Sequence, residues 1–236
     1  MPEPAEAASR RGRLRRASRD GRPVPDGAAS ARTGLNPVVL GSRRLGLCHL
    51  PPEPPERLVL LLHGAGGSAA QGLGLLTAYA DERRLALFAP QSVGPTWDVI
   101  GGRYGPDVAL IQVGLDQVGT WLPPGGIPTA VGGFSDGGSY ALSLGLINGD
   151  VFDAVLAFSP GFMAPTSTTG VPSCFVSHGR DDPILPVDRC SRRVVAALRT
   201  AGYPVQYHEF DGGHEVPPAV ATEALDWLST RPAATA

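Results

Sequence analysis

From residue 37 onward the chain alternates two kinds of apolar pattern. Short, nearly uninterrupted apolar runs at Arg57–Leu62, 85–89, 129–132, Ala154–Phe158 and 174–177 predict strands buried on both faces, and Val205–Phe210 predicts a last, more polar strand. Between them the spacing turns helical. Val108, Ile111, Leu115 and Val118 share one helical face, residues 140–146 read as an apolar helix, 187–201 carry Val194, Val195 and Leu198 inward, and 220–228 form the last helix. Ahead of these, residues 38–40 and 45–50 flank Gly41-Ser42 as a hairpin, and the proline-rich 51–55 reads as a stiff connector. Buried strands alternating with amphipathic helices predict an α/β fold with a mostly parallel sheet covered on both faces. Only about a dozen residues separate the strands ending near Ser159 and starting near Pro172, too few for a cap domain, so an open site is expected.

Residues 1–36 carry none of this periodicity. They are rich in Arg, Ala, Pro, Gly and Ser, with eight of the twenty arginines against four acids, and are expected to form a disordered tail. Residues 37–236 then make one α/β domain, large enough for a substantial core. The formal net charge of -2 gives no general attraction to nucleic acid or to a membrane surface. No apolar run approaches a membrane span, and the N-terminal arginines lead into no apolar signal segment, so a cytoplasmic protein is expected. Cys48, Cys174 and Cys190 are odd in number and widely spaced, which argues against a disulfide framework or a zinc site.

The chemistry begins at Gly133-Phe134-Ser135-Asp136-Gly137, where the run 129–132 breaks into small-x-Ser-x-small before a helix. Small flanking residues let the chain turn tightly enough to expose a nucleophilic serine above the sheet. Such a motif arises easily by chance in a chain with 31 glycines, so its neighbours decide its meaning. A serine hydroxyl needs a base to take its proton and an acid to orient that base, in the chain order Ser, acid, His for this kind of fold. After the strand at 174–177 come Asp181 and Asp182, and after the last strand comes Asp211-Gly212-Gly213-His214. Upstream, His63-Gly64-Ala65-Gly66-Gly67 closes the first long strand as a glycine-rich turn able to offer backbone amides. The donors for a developing oxyanion are assigned to the backbone N–H groups of Ala65 and Asp136.

These segments, together with Ala89-Pro90-Gln91, Thr96-Trp97-Asp98 and His178-Gly179 followed by Asp182 and Pro186, resemble the phospholipase/carboxylesterase branch of the α/β-hydrolases, which includes acyl-protein thioesterases. The resemblance covers about residues 57 to 230. It implies an α/β-hydrolase fold without a cap, and a serine esterase with Ser135, Asp182 and His214 as its triad. It also implies an acyl-enzyme intermediate and no cofactor or metal, with a small ester or thioester as substrate and an acyl-protein thioesterase or lysophospholipase as the alternative. A scaffold without catalysis is the remaining reading. The chain carries Asp136 where thioesterase members usually have Gln, and its tryptophan segment is shorter than theirs.

Other residues have blander expected roles. His63 and His178 end strands and are expected to hydrogen-bond the loops they begin, while His208 reads as an ordinary strand position. Trp97 is a candidate for the substrate cleft or for packing, and Phe162 with Met163 could floor an acyl pocket. Arg180, Arg192 and Arg193 are expected on a solvated face.

Overall fold

Eight strands form one sheet in the order β1-β2-β4-β3-β5-β6-β7-β8 in a computed structural model that describes residues 5–15 and 31–231. In chain order the elements begin with a one-turn helix, α1 (Ala5–Ser9), followed by β1 (Gly34–Leu40) and β2 (Arg43–Leu50). These two strands form the predicted hairpin, closed at Leu40 opposite Arg43. Next come β3 (Arg57–Leu62), α2 (Ala69–Gly74), α3 (Thr77–Ala80), β4 (Leu85–Pro90) and α4 (Pro106–Gly119). The second half runs β5 (Thr129–Phe134), α5 (Asp136–Ile147), β6 (Ala154–Phe158), β7 (Ser173–Gly179), α6 (Ser191–Thr200), β8 (Val205–Phe210) and α7 (Pro218–Ser229). The hairpin joins β4 antiparallel through β2, and every pairing from β4 to β8 is parallel. This is the α/β-hydrolase arrangement, and residues 159–172 form a loop with no inserted subdomain among the described residues.

Side-chain alternation along β3 explains the two faces. Leu58, Leu60 and Leu62 enter one apolar cluster with residues of α4, α5 and α6, including Ile111, Leu142 and Leu198. Val59 and Leu61 enter the other, with Leu73 of α2 and Val220 and Leu225 of α7. All six residues of β3, and all of β4 and β6, are buried, which is why these strands read as unbroken apolar runs.

Three differences from expectation have identifiable causes, two local and one long-range. Helix α5 starts at Asp136 rather than 140, because the serine itself occupies the N-cap position. Helix α6 starts at Ser191 rather than 187, because the amides of Arg189 and Cys190 both turn back to the Pro186 carbonyl. The largest difference concerns the expected tail at residues 1–36. Strand β1 already begins at Gly34, and residues 5–15 are seated against the domain. Leu14 is buried, its N–H donates to Asn148 Oδ1 (2.8 Å), and Asn148 Nδ2 donates back to the Gly12 carbonyl (2.8 Å). Arg13 pairs with both carboxylate oxygens of Asp150 (2.9 and 2.8 Å) and donates to the Ile147 carbonyl (2.7 Å). These partners lie about α5 and the following turn, more than a hundred residues away in sequence, so local composition carried no sign of them. The rest of the expected tail, residues 1–4 and 16–30, lies outside the described residues.

Candidate active site

Strand β5 ends and α5 begins within one residue, and Ser135 is that residue. Its φ of 59° and ψ of -121° put a non-glycine residue in a region that costs on the order of 1–3 kcal/mol. The strain is held by its surroundings. The Ser135 N–H donates to the Phe158 carbonyl of β6 (2.9 Å), and the helix following it lies tight against the end of β3. A Cβ on Gly137 would stand 2.1 Å from the Leu62 carbonyl oxygen, and one on Gly133 would stand 2.4 Å from the Gly137 backbone. Glycine is therefore required on both sides of the serine.

The side chain meets a histidine from the far end of the chain. His214 Nε2 lies 2.9 Å from Ser135 Oγ, and His214 Nδ1 lies 2.6 Å from Asp182 Oδ2. The ring leans on Phe134, with centroids 4.6 Å apart. Asp182 Oδ1 accepts from the amides of Ile184 and Leu185, both at 2.8 Å. Burial pushes the Asp182 carboxyl up, but hydrogen bonds from the Leu185 amide, His214 and the Ile184 amide outweigh it and leave its pKa below the usual carboxylate value. The carboxylate thus stays charged, with its lone pairs fixed. Asp181, the neighbouring candidate, is exposed and makes no side-chain contact with His214 among the described residues.

A second buried imidazole meets the same carboxylate. His178 Nε2 donates to the Leu185 carbonyl (2.7 Å) and lies 3.2 Å from Asp182 Oδ2, while its Nδ1 accepts from Ser191 Oγ (2.5 Å). A carbonyl can only accept, so the proton sits on Nε2. Burial lowers the His178 pKa and keeps the ring neutral.

The opposite wall is the turn after β3. A Cβ on Gly64 would stand 3.4 Å from Ser135 Cβ, which puts the turn beside the serine. Among the described residues neither the Ala65 nor the Asp136 N–H has a hydrogen-bond acceptor. Two free amides, one from each side of the serine, are what an oxyanion needs. The turn is braced from behind. His63 Nδ1 donates to the Gly64 carbonyl (2.8 Å), and its Nε2 accepts from the Ser92 amide (3.2 Å). Burial lowers the His63 pKa as well, so it too remains a neutral structural ring.

Trp97 does not line the cleft. It is 1% exposed, stacks on Tyr140 at 5.2 Å between centroids, and donates from Nε1 to the His63 carbonyl (2.8 Å). An indole buried this deeply needs a partner for its N–H, and the backbone behind the turn supplies it. Phe162 and Met163 are half-buried and pack against the core in a loop seated on α5. The amides of Gly161 and Phe162 reach Ser139 Oγ (2.9 and 3.4 Å), and that hydroxyl donates to the Ser135 carbonyl (3.2 Å). The pocket-floor candidates are therefore tied to the first turn after the serine. Sequence reasoning gave no role to Ser139, although its i+4 spacing from Ser135 was a usable sign. It also missed the half-buried Asp98 and the buried Asp107, which brace Trp97's segment: Asp107 accepts from the amides of Val93 (2.7 Å) and Asp98 (2.8 Å). Among the described residues no three His, Cys, Asp or Glu side chains converge as metal ligands would.

A family model described as phospholipase/carboxylesterase matches residues 121–231, the stretch carrying Ser135, Asp182 and His214. Over that stretch the chain is similar to the phospholipase/carboxylesterase family, on an α/β-hydrolase fold. A probable feruloyl esterase C of Aspergillus niger is 28% identical over 204 residues, spanning 72% of this chain and 74% of that protein. The solved structure of esterase PE8 superposes with a TM-score of 0.65 at 24% identity, covering 80% of this chain and 99% of its own. Acyl-protein thioesterase 2 of Zea mays superposes at 0.58 with 19% identity, covering 78% and 98%. At those identities the two structures speak for the hydrolase fold alone.

Proposed function

We propose that this chain is a serine-dependent carboxylic ester hydrolase in which Ser135, His214 and Asp182 act as one triad. The observation that carries the reading is the continuous path from Asp182 Oδ2 through His214 to Ser135 Oγ, at 2.6 and 2.9 Å, ending on a strained serine. Ser135 Oγ attacks the acyl carbonyl carbon as His214 Nε2 takes its proton, and Asp182 holds the resulting imidazolium. The carbonyl oxygen gains the negative charge against the Ala65 and Asp136 amides. When the tetrahedral adduct collapses, His214 gives the proton to the leaving alcohol and the acyl group stays on Ser135. Water then gives a proton to His214 and its oxygen to the acyl carbon. The acid leaves, and Ser135 recovers its hydrogen. No step needs a cofactor.

The absence of an inserted subdomain among the described residues favours a short-to-medium acyl ester or thioester in an open site. The relative named as a probable feruloyl esterase adds hydroxycinnamoyl esters to the candidates. The test is labelling with a fluorophosphonate followed by peptide mass mapping, then turnover of nitrophenyl esters of increasing acyl length, methyl ferulate and a palmitoyl thioester. The expected result is a single adduct on Ser135 and loss of both labelling and turnover in Ser135→Ala with the melting temperature retained. A folded wild-type protein that takes no label at Ser135 sinks the reading.

A further inference from the structure

Pro95, Thr96 and Trp97 are consecutive, and each holds a different part of the proposed oxyanion site. The Gly66 N–H donates to the Pro95 carbonyl (2.7 Å), and Trp97 Nε1 donates to the His63 carbonyl (2.8 Å). These bonds fix the peptide units just before and just after the one that carries the Ala65 N–H. Between them, Thr96 Oγ1 donates to Asp136 Oδ2 (2.7 Å). Asp136 is the first residue of α5, and its own N–H is the second donor. One tripeptide therefore spans both arms, the β3 turn through its two flanking residues and the serine turn through its middle one.

We propose that Thr96 is a positioning residue that sets the spacing and aim of the two oxyanion donors by holding the Asp136 carboxylate. This rests on the serine-hydrolase reading above. The Asp136 side chain is then bound within the scaffold, and its carboxylate acts on its own backbone N–H through the shared Cα. The tripeptide has footing of its own without this bond. The Val93 and Asp98 amides on either side of it donate to Asp107, and Trp97 is clamped between His63 and Tyr140. Removing the Thr96 hydroxyl thus frees Asp136 while leaving the Ala65 arm in place. A donor displaced by a fraction of an ångström matters most when the charge is fully developed, so the effect belongs in kcat rather than KM.

The experiment compares wild type, Thr96→Val, Thr96→Ser, Asp136→Ala, Asp136→Asn and the Thr96→Val/Asp136→Ala double variant on nitrophenyl butyrate, with fluorophosphonate labelling and melting temperature alongside. Thr96→Val is expected to lower kcat by about 10- to 100-fold with KM little changed, within the loss typical for an oxyanion donor. Thr96→Ser and Asp136→Asn, which keep a donor and an acceptor, should restore most of it. The double variant should be no slower than the slower single variant, because both remove one interaction. Wild-type kcat in both Thr96→Val and Asp136→Ala, or losses that multiply in the double variant, overturns the proposal. Should Thr96→Val not fold, Asp136→Ala against Asp136→Asn carries the same comparison. A wild-type protein that fluorophosphonate does not label overturns the serine reading instead, so the two failures are distinct.

Discussion

His178 never touches the serine, yet it shares a carboxylate oxygen with the imidazole that does. Its Nε2–H is divided between the Leu185 carbonyl and Asp182 Oδ2, and its Nδ1 takes the Ser191 hydroxyl at the start of α6. It therefore holds the Asp182 turn in register with α6, as a brace behind the acid. His178→Ala leaves the buried Ser191 hydroxyl without this partner, costing about 1–3 kcal/mol, and releases the Leu185 carbonyl as well. The expected outcome is a lower melting temperature with turnover reduced but measurable, whereas His214→Ala should remove turnover and leave melting nearly unchanged. Equal residual turnover in the two variants would count against the division of roles. Asp182→Asn should lower kcat by about 10⁴-fold, the order found when a triad acid loses its charge, in steady-state assays near neutral pH. At this scale the meeting of Ser135, Asp182 and His214 beside the glycine-rich turn was legible because chain order and flanking glycines mark these residues. Trp97 was not, because a tryptophan one residue past Thr96 reads alike whether it faces a cleft or a carbonyl. Only the His63 carbonyl behind it decided the matter.

The parallel strands were legible as elements for the same reason they are buried: with helices on both faces, neither side of β3, β4 or β6 can be polar. Strand β8 is different. It forms one edge of the sheet, and Tyr207, His208 and Glu209 are half-buried there. Glu209 is gripped by Arg192 of α6 through both carboxylate oxygens at 2.7 Å, and it accepts from Tyr207 (2.8 Å). The expectation of a solvated face holds for the exposed Arg192, but that residue also fastens α6 to the edge strand. The Arg192 hydrogen bond holds the Glu209 carboxyl down at about 2, against 4.5 for the free group. The folded chain thus binds that proton less readily than the unfolded one. The contact stabilises the fold above about pH 4.5 and is lost as pH falls toward about 2. Glu209→Gln should flatten that part of a plot of melting temperature against pH and leave the neutral region only slightly lower. An acid limb identical to wild type would contradict the assignment. Helices α2 and α3 escaped the periodicity reading because Ala69–Gly74 and Thr77–Ala80 are short, and the first holds two glycines. They form because Leu73 and Ala80 cover β3 and β4.

Across the whole molecule, the docked residues 5–15 couple the start of the chain to α4, α5 and the loop bearing Phe162 and Met163. Ser9 Oγ donates to the Gly105 carbonyl (2.5 Å), and Thr166 Oγ1 donates to the Arg11 carbonyl (2.6 Å). Composition alone could not reveal this, because one buried leucine and a set of polar contacts to distant partners leave no periodic pattern. Leu14→Ala removes the single fully buried apolar anchor of the described segment. Truncating a buried leucine costs about 2–5 kcal/mol where the site cannot collapse. Cleavage by trypsin between residues 10 and 15, followed by mass spectrometry, should accelerate in this variant. An unchanged cleavage rate would mean that the segment's seat does not depend on Leu14. The path from Asp182 to Ser135 has a consequence for how the chain reaches its native state. His214 meets Asp182 across 32 residues and Ser135 across 79, so no contiguous stretch of chain contains the site. Closing such distant contacts is among the slower steps of folding, since chain entropy is lost before the contacts compensate for it. On the proposed mechanism, hydrolysis should therefore return during renaturation only when β5, β7 and the loop after β8 are all registered, which would make turnover a stricter signal of completed folding than any spectroscopic measure of helix or strand.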